Sequence, residues 1–189
     1  MSVVINGVKL KNATYNGEKV KKIYYNDGTT NNLIYSAEEY LLQNGTAQTL
    51  AGGFIHTRQQ HSSTWTLNYN NEGCVYYSNN NGDAHSRVDT KNTIDWSKYS
   101  KLCIDLAGRD NDVYNNLYVV VAKGSPSTSI WLPSSDSKVT QKQTAIEFSS
   151  ITKRKTVAID VSSITNAGKL MLGISGISPW VKIYNIWLE

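Results

Sequence analysis

Three turn dipeptides, Asn6-Gly7, Asn16-Gly17 and Asp27-Gly28, cut the first thirty-six residues into short β-prone segments. Their spacing of about ten residues is that of hairpins in series. A two-residue type I′ turn needs positive φ at both central positions, which Asn and Asp tolerate and Gly adopts freely, so each pair pins a strand reversal. Residues 1–36 are therefore expected to form a small β-meander of their own. One irregularity sits inside it: Val20-Lys21-Lys22-Ile23 breaks strict alternation, so this strand either bulges or buries both faces.

Past Ser36-Ala37-Glu38-Glu39 the Asn-Gly spacing stops, and residues 37–189 are long enough to hold a core of their own. Twelve Tyr and five Trp, with abundant Thr, Ser, Asn, Val and Ile, favour strands over helices. Strand candidates recur between turn signals at 54–59, 64–70, 74–78, 101–107, 117–123, 129–132, 144–148, 155–161, 169–175 and 181–188. Several alternate cleanly and so name their inward faces: Leu102, Ile104, Leu106; Val157, Ile159, Val161; Leu170, Leu172, Ile174. Asp95-Trp96-Ser97-Lys98-Tyr99 reads as a helical turn capped by Asp95, with Trp96 or Tyr99 closing the sandwich edge. The fold class is all-β, a small N-terminal meander followed by a jelly-roll β-sandwich.

The net charge of +4 is concentrated in the first module, where Lys9, Lys11, Lys19, Lys21 and Lys22 face only Glu18 and Asp27. Lysines on exposed strands protect sheet edges from pairing with other chains. The remainder is nearly neutral and lacks the basic face that phosphate neutralisation requires, so no nucleic-acid partner is expected. The start Met1-Ser2-Val3-Val4-Ile5-Asn6 has neither a basic n-region nor an apolar stretch of spanning length. Synthesis in the cytosol without a membrane span is expected. Cys74 and Cys103 are the two cysteines, which excludes a dense disulfide scaffold and leaves a single bridge open.

Two stretches carry family resemblances. Val4-Ile5-Asn6-Gly7, then Asn16-Gly17 through Tyr24-Tyr25-Asn26-Asp27-Gly28-Thr29, closing on Leu33-Ile34-Tyr35, resembles the short N-terminal module of phage and prophage tail-associated structural proteins of Gram-positive hosts. Ile94-Asp95-Trp96-Ser97-Lys98-Tyr99 before its strand, Val157-Ala158-Ile159-Asp160-Val161, and Val181-Lys182-Ile183-Tyr184-Asn185-Ile186-Trp187-Leu188 together resemble jelly-roll carbohydrate-binding modules. The first resemblance implies a virion component, released by lysis, that meets other virion proteins through residues 1–36. The second implies a fold more directly than it implies a sugar.

Sugar recognition rests on aromatic faces flanked by amides, carboxylates and Arg. In Ser129-Ile130-Trp131-Leu132, Ile130 and Leu132 claim the core and Trp131 faces out, while Trp180 follows Pro179 in a loop. Trp65 shares phase with Leu67 and Tyr69 and is assigned to the core. Trp187 points away from Ile186 and Leu188 and is assigned to an oligomer or inter-domain contact. The polar loops 78–87 and 108–112 supply Asn81, Asp83, His85 and Arg87, and Arg109 and Asp112. Rigid sandwiches carry their binding groups on such loops.

Catalytic and metal signals are sparse. Asp105, Asp160 and Glu147 fall on outward phases of separate strands, which does not make the convergent carboxyl pair of a glycosidase. No Gly-x-Ser-x-Gly elbow, His-Glu-x-x-His or phosphate loop occurs. His56 and His61 would point to opposite faces of one extended strand, so no metal site is assigned. Asp110-Asn111-Asp112 is an oxygen-rich turn that leaves calcium open; no other cofactor is expected. The leading expectation is a non-enzymatic tail-associated protein whose jelly roll binds a host-surface polysaccharide or other cell-surface glycan. A purely structural decoration module, which would bury Trp131 and Trp187 between chains of a homo-oligomer, is the alternative. A glycan-degrading enzyme is the third reading.

Overall fold

The computed structural model describes residues 3–5, 8–10, 14–15, 18–19, 22–26, 28, 31–36, 38–59, 64–66, 72–78, 83–109, 116–126, 140–177 and 180–189; strands before residue 38, and positions 57–59, 64–66, 78, 83–85 and 175–177, are described by their backbone. The chain divides into two compact units, residues 1–39 and 40–188.

In the first unit the turn dipeptides sit where ladders close. β1 (Val3–Ile5) pairs β2 (Val8–Leu10) with Ile5 opposite Val8, and β3 (Thr14–Tyr15) pairs β4 (Glu18–Lys19) with Tyr15 opposite Glu18. Both connections are two residues long, as Asn-Gly turns require. β5 (Lys22–Asn26) and β6 (Asn31–Ser36) close with Asn26 opposite Asn31, across a longer connection that holds Gly28 at φ +94°. The ladder has a bulge in β6 rather than in β5: the partner steps from Tyr35 at Ile23 to Leu33 at Tyr24, which leaves Ile34 as the extra residue; Val20 and Lys21 lie outside the described residues.

A fourth Asn-Gly pair opens the second unit. β7 (Glu39–Gln43) pairs β8 (Thr46–Ala47) with Gln43 opposite Thr46, and Asn44 and Gly45 both hold positive φ, +48° and +70°. A Cβ on Gly45 would lie 2.5 Å from the Cys74 backbone nitrogen, so the turn admits no side chain there. Its N–H donates to the Tyr184 carbonyl at 3.1 Å, which ties the hairpin to the C-terminal strand.

The strands that follow are β9 (Phe54–Gln59), β10 (Thr64–Thr66), β11 (Val75–Ser78), β12 (Asp83–Thr90), β13 (Lys101–Gly108), β14 (Asn116–Ala122), β15 (Thr140–Glu147), β16 (Lys155–Asp160), β17 (Leu170–Ile177) and β18 (Trp180–Leu188). They form two antiparallel sheets. One runs β15-β14-β17-β12-β9; the other runs β10-β11-β18-β13-β16, with β7 also on β18 and β8 on β7. From β8 to β18 the chain passes repeatedly between the sheets, which makes a jelly-roll sandwich. Expected strands at 129–132 lie outside the described residues, whereas β12 is a strand where a polar loop was expected. Among the described residues no helix is long and apolar enough to cross a membrane.

Alternation fills the space between the sheets. Leu102, Ile104 and Leu106 from one sheet meet Leu117, Val119, Val121, Leu170, Leu172 and Ile174 from the other, all at most 2% exposed. Each such side chain contributes about 1.5–3 kcal/mol when fully buried. The turn before β13 is a short 3-10 helix, Trp96–Lys98. Trp96, not the half-buried Tyr99, is the residue sealed into the core. Asp95 accepts from Ser97 Oγ (2.7 Å) and pairs with Lys98 (3.2 Å), and the Ser97 bond holds its carboxyl below its ordinary pKa.

Gly168 is the keystone of this edge. Its carbonyl accepts from Ile94 N–H (2.9 Å) and from Trp96 Nε1 (3.0 Å), and its own N–H donates back to Ile94. A Cβ on Gly168 would stand 1.6 Å from the Ala122 carbonyl oxygen, which is backbone and has nowhere to go. Gly168→Ala should therefore destabilise by about 1–3 kcal/mol or more, read as a lowered urea midpoint with unchanged slope.

Candidate functional site

Sequence reasoning overlooked β12 because Asp83-Ala84-His85-Ser86-Arg87-Val88-Asp89-Thr90 holds one large aliphatic residue. Its inward positions are made acceptable by bonding rather than by apolarity. Thr90 is fully buried; its Oγ1 accepts the Leu170 N–H (3.2 Å) and donates to the Asn92 carbonyl (2.9 Å). Ser86 Oγ lies 2.8 Å from His56 Nε2, and Val88 joins the core.

The other phase of β12 belongs to the face of the five-stranded sheet turned away from the sandwich interior. There Arg87 Nε and Nη2 donate to Asp89 Oδ1 and Oδ2 at 2.7 and 2.5 Å, a fork-to-fork pair whose side chains are 0% and 3% exposed. Taking both charges out of water costs several kcal/mol per ion, so such a pair is weak evidence of a stabilising role. Beside it lies a second apolar cluster, Val120, Ala122 and Met171, that is separate from the inter-sheet core.

Register sets the neighbours of this pair. Arg87 stands opposite Gly173, and Gly173 opposite Tyr118, so one row crosses three strands with a residue lacking a side chain at its centre. Adjacent strands lie about 4.8 Å apart, which puts the Arg87 and Tyr118 backbones roughly 10 Å from each other across that gap. The next rows are His85, Ser175, Asn116 and, on the other side, Asp89, Met171, Val120, Gln143. Tyr118 and Asn116 are half-buried, and Gln143 is exposed. A charged anchor, a phenol, amides and a floor at Gly173 thus share one face.

The sequence-derived site residues fall into separate places. Asp83, His85 and Arg87 occupy alternate positions of one strand rather than a flexible loop. Arg87 is also not the exposed loop group expected of it; it is buried and forked onto Asp89. Trp180 is the first residue of β18 instead of a loop residue, half-buried and 6.3 Å from the Tyr76 ring. Arg109 is exposed, and its N–H donates to the Trp180 carbonyl at 3.1 Å, which places both on the seven-stranded sheet. Asn81, Asp112 and Trp131 lie outside the described residues, as does the Asp110-Asn111-Asp112 turn considered for calcium; the Trp65 side chain is likewise not described. Asp89, Tyr118 and Asn116 were missed, although the inward phase of Leu117, Val119 and Val121 already turned Tyr118 outward.

The carboxylates weighed as catalytic groups each have their own partner. Asp105, half-buried rather than solvent-facing, accepts from Arg154 Nε and Nη2 (3.0 and 2.6 Å) and from Asn185 Nδ2 (3.0 Å). Asp160 accepts from Ser162 N–H and Oγ, which lowers its pKa. Glu147 ends β15 exposed. No cluster of three metal-ligating side chains occurs among the described residues. Cys74 and Cys103 are buried and not bridged to one another; burial raises the Cys74 pKa, Glu72 adds to this, and Lys182 and Arg154 oppose it.

No protein-family model matches the sequence, and no curated protein matches it. Solved structures do share the fold. The family 11 carbohydrate-binding module of the cellulosomal cellulase Lic26A-Cel5E of Clostridium thermocellum aligns with a TM-score of 0.51 at 12% identity, over 80% of this chain and 94% of that one. TmCBM61, solved in complex with β-1,4-galactotriose, aligns with a TM-score of 0.50 at 10% identity, over 80% and 98%. The enzymatically active domain of tailspike protein 4 from bacteriophage CBA120 aligns with a TM-score of 0.51 at 11% identity, over 79% of this chain and 21% of that one. At such identities the likeness is one of fold.

The buried pair makes a sharp energetic test. Asp89→Ala removes the carboxylate forked onto the buried Arg87 and should cost about 3–5 kcal/mol in chemical denaturation, whereas Arg87→Leu combined with Asp89→Leu should recover most of that loss.

Proposed function

We propose that this chain is a non-enzymatic glycan-binding module whose site is the outer face of the five-stranded sheet. The observation that carries the reading is the fully buried Arg87–Asp89 pair on a sheet face that is not the core, in one register row with Gly173 and Tyr118. A buried ion pair contributes little net stability, but it holds its surroundings in one geometry, which a site for hydroxyl-rich ligands needs. Arg87 acts as a positioning residue; Tyr118 supplies a ring, and Asn116 and Gln143 supply donors and acceptors. The fold shared with carbohydrate-binding modules supports this reading, and so does the engagement of Asp105 and Asp160 with Arg154 and Ser162 rather than with a second carboxyl.

In the same proposal residues 1–36 attach the module to other virion proteins and the glycan belongs to a host surface, so the protein works from a phage particle or from lysed cells. The tail-module resemblance of the Asn-Gly hairpins and the shared fold of a phage tailspike domain support that setting. Weak single sites would gain strength from copy number.

Binding of the full chain to an array of bacterial and plant glycans tests the assignment. Selective retention should appear, and Tyr118→Ala should weaken it about tenfold or more while leaving the unfolding midpoint within about 1 kcal/mol. Retention equal to that of the unmodified chain would remove the five-stranded face as the site.

A further inference from the structure

The outward phase of β18 carries Trp180, Lys182, Tyr184 and Trp187, with Asn185 brought to the same side by a register shift opposite Asp105. This row spans seven residue steps, about 23 Å of extended strand. It lies on the seven-stranded sheet, on the far side of the sandwich from Tyr118. The inter-sheet core is already filled from the other phase by Val181, Ile183, Ile186 and Leu188, so these rings are not needed there.

Each ring is held by a neighbour. Trp180 meets the Tyr76 ring at 6.3 Å and 41°, and Trp187 meets Tyr40 at 6.1 Å and 32°. The Arg154 guanidinium sits 3.7 Å above the centroid of Tyr184. Rings braced in this way give up little conformational freedom on binding. The charges among them are neutralised in place: Lys182 pairs with Glu72, and Arg154 pairs with Asp105. The face therefore offers aromatic surface and hydrogen-bonding edges, with both cations between the rings paired and Arg109 exposed at the Trp180 end.

We infer that this face is a second binding surface, separate from the five-stranded site, and that its occupant is a neutral oligosaccharide. Of Lys182, Arg154 and Arg109 on this face two are paired in place, and one remaining cation is too few for an anionic polymer, whose affinity grows with the number of charges neutralised. A second protein chain is disfavoured because the cores of protein interfaces are depleted in charged residues, and here two ion pairs sit between the rings. A sugar chain suits the pattern, since it presents C–H faces to rings and hydroxyls to the polar groups between them.

The test uses the full chain labelled with 5-fluorotryptophan, with the 19F signals of Trp180 and Trp187 assigned through Trp180→Phe and Trp187→Phe. Neutral gluco-, galacto-, manno- and xylo-hexasaccharides are titrated in turn, with dextran sulfate as the anionic control, in the unmodified and the Tyr118→Ala chains. At least one neutral sugar should shift both signals in both chains, and Trp180→Ala should raise its Kd about tenfold. Signals that move with no neutral sugar, that move only with dextran sulfate, or that change only with protein concentration would overturn the inference. Array retention that depends on Tyr118, with both tryptophan signals unmoved, overturns the second surface alone; loss of both overturns the two assignments together.

Discussion

Everything distinctive about this sandwich depends on the inward phase of four central strands, kept in β18 across one register shift. β13 and β18 from one sheet, and β14 and β17 from the other, place Leu, Ile and Val at successive inward positions, and all of these side chains are sealed between the sheets. Because a one-residue slip would expose the whole set, the register is strongly fixed. Once the inner phase supplies the stability, the outer phases are free to carry chemistry that no core would tolerate. One outer face holds a buried Arg–Asp pair, and the other holds a row of rings and neutralised ion pairs.

Two local devices keep that arrangement closed. The Asn44-Gly45 turn sets β7 against β18 by placing a backbone N–H, with no side chain in the way, on the Tyr184 carbonyl. Gly168 does the corresponding work at the β13 edge, where its carbonyl gathers the Ile94 amide and the Trp96 indole. Both positions are glycine for a reason of space, since a methyl group at either would strike backbone atoms.

Most of the strands were legible in the sequence. Phe54–Gln59 coincides with its expected bounds, and the strands around 101–107, 117–123, 155–161, 169–175 and 181–188 fall within a residue or two. These segments advertise themselves through period-two alternation. β12 did not, because its inward set is Ser86, Val88 and Thr90, whose fitness depends on bonds to His56, Leu170 and Asn92 that only the fold creates. The strand that carries the proposed site was thus the one that read as a loop. Asn44-Gly45 escaped notice for another reason: it breaks the regular spacing of the earlier turns and falls just past the expected module boundary. Trp187 turned outward as its phase required, while Arg87, expected on an exposed loop, is buried within a strand.

A sugar lying across the outer face of the five-stranded sheet would be seen outright in a crystal structure of the full chain soaked with the best-retained oligosaccharide from the glycan array. Sugar density should then cover Tyr118 and Asn116, with the Arg87–Asp89 fork intact beside it. A sugar bound elsewhere with that face bare, or an array on which no glycan is retained, would contradict it.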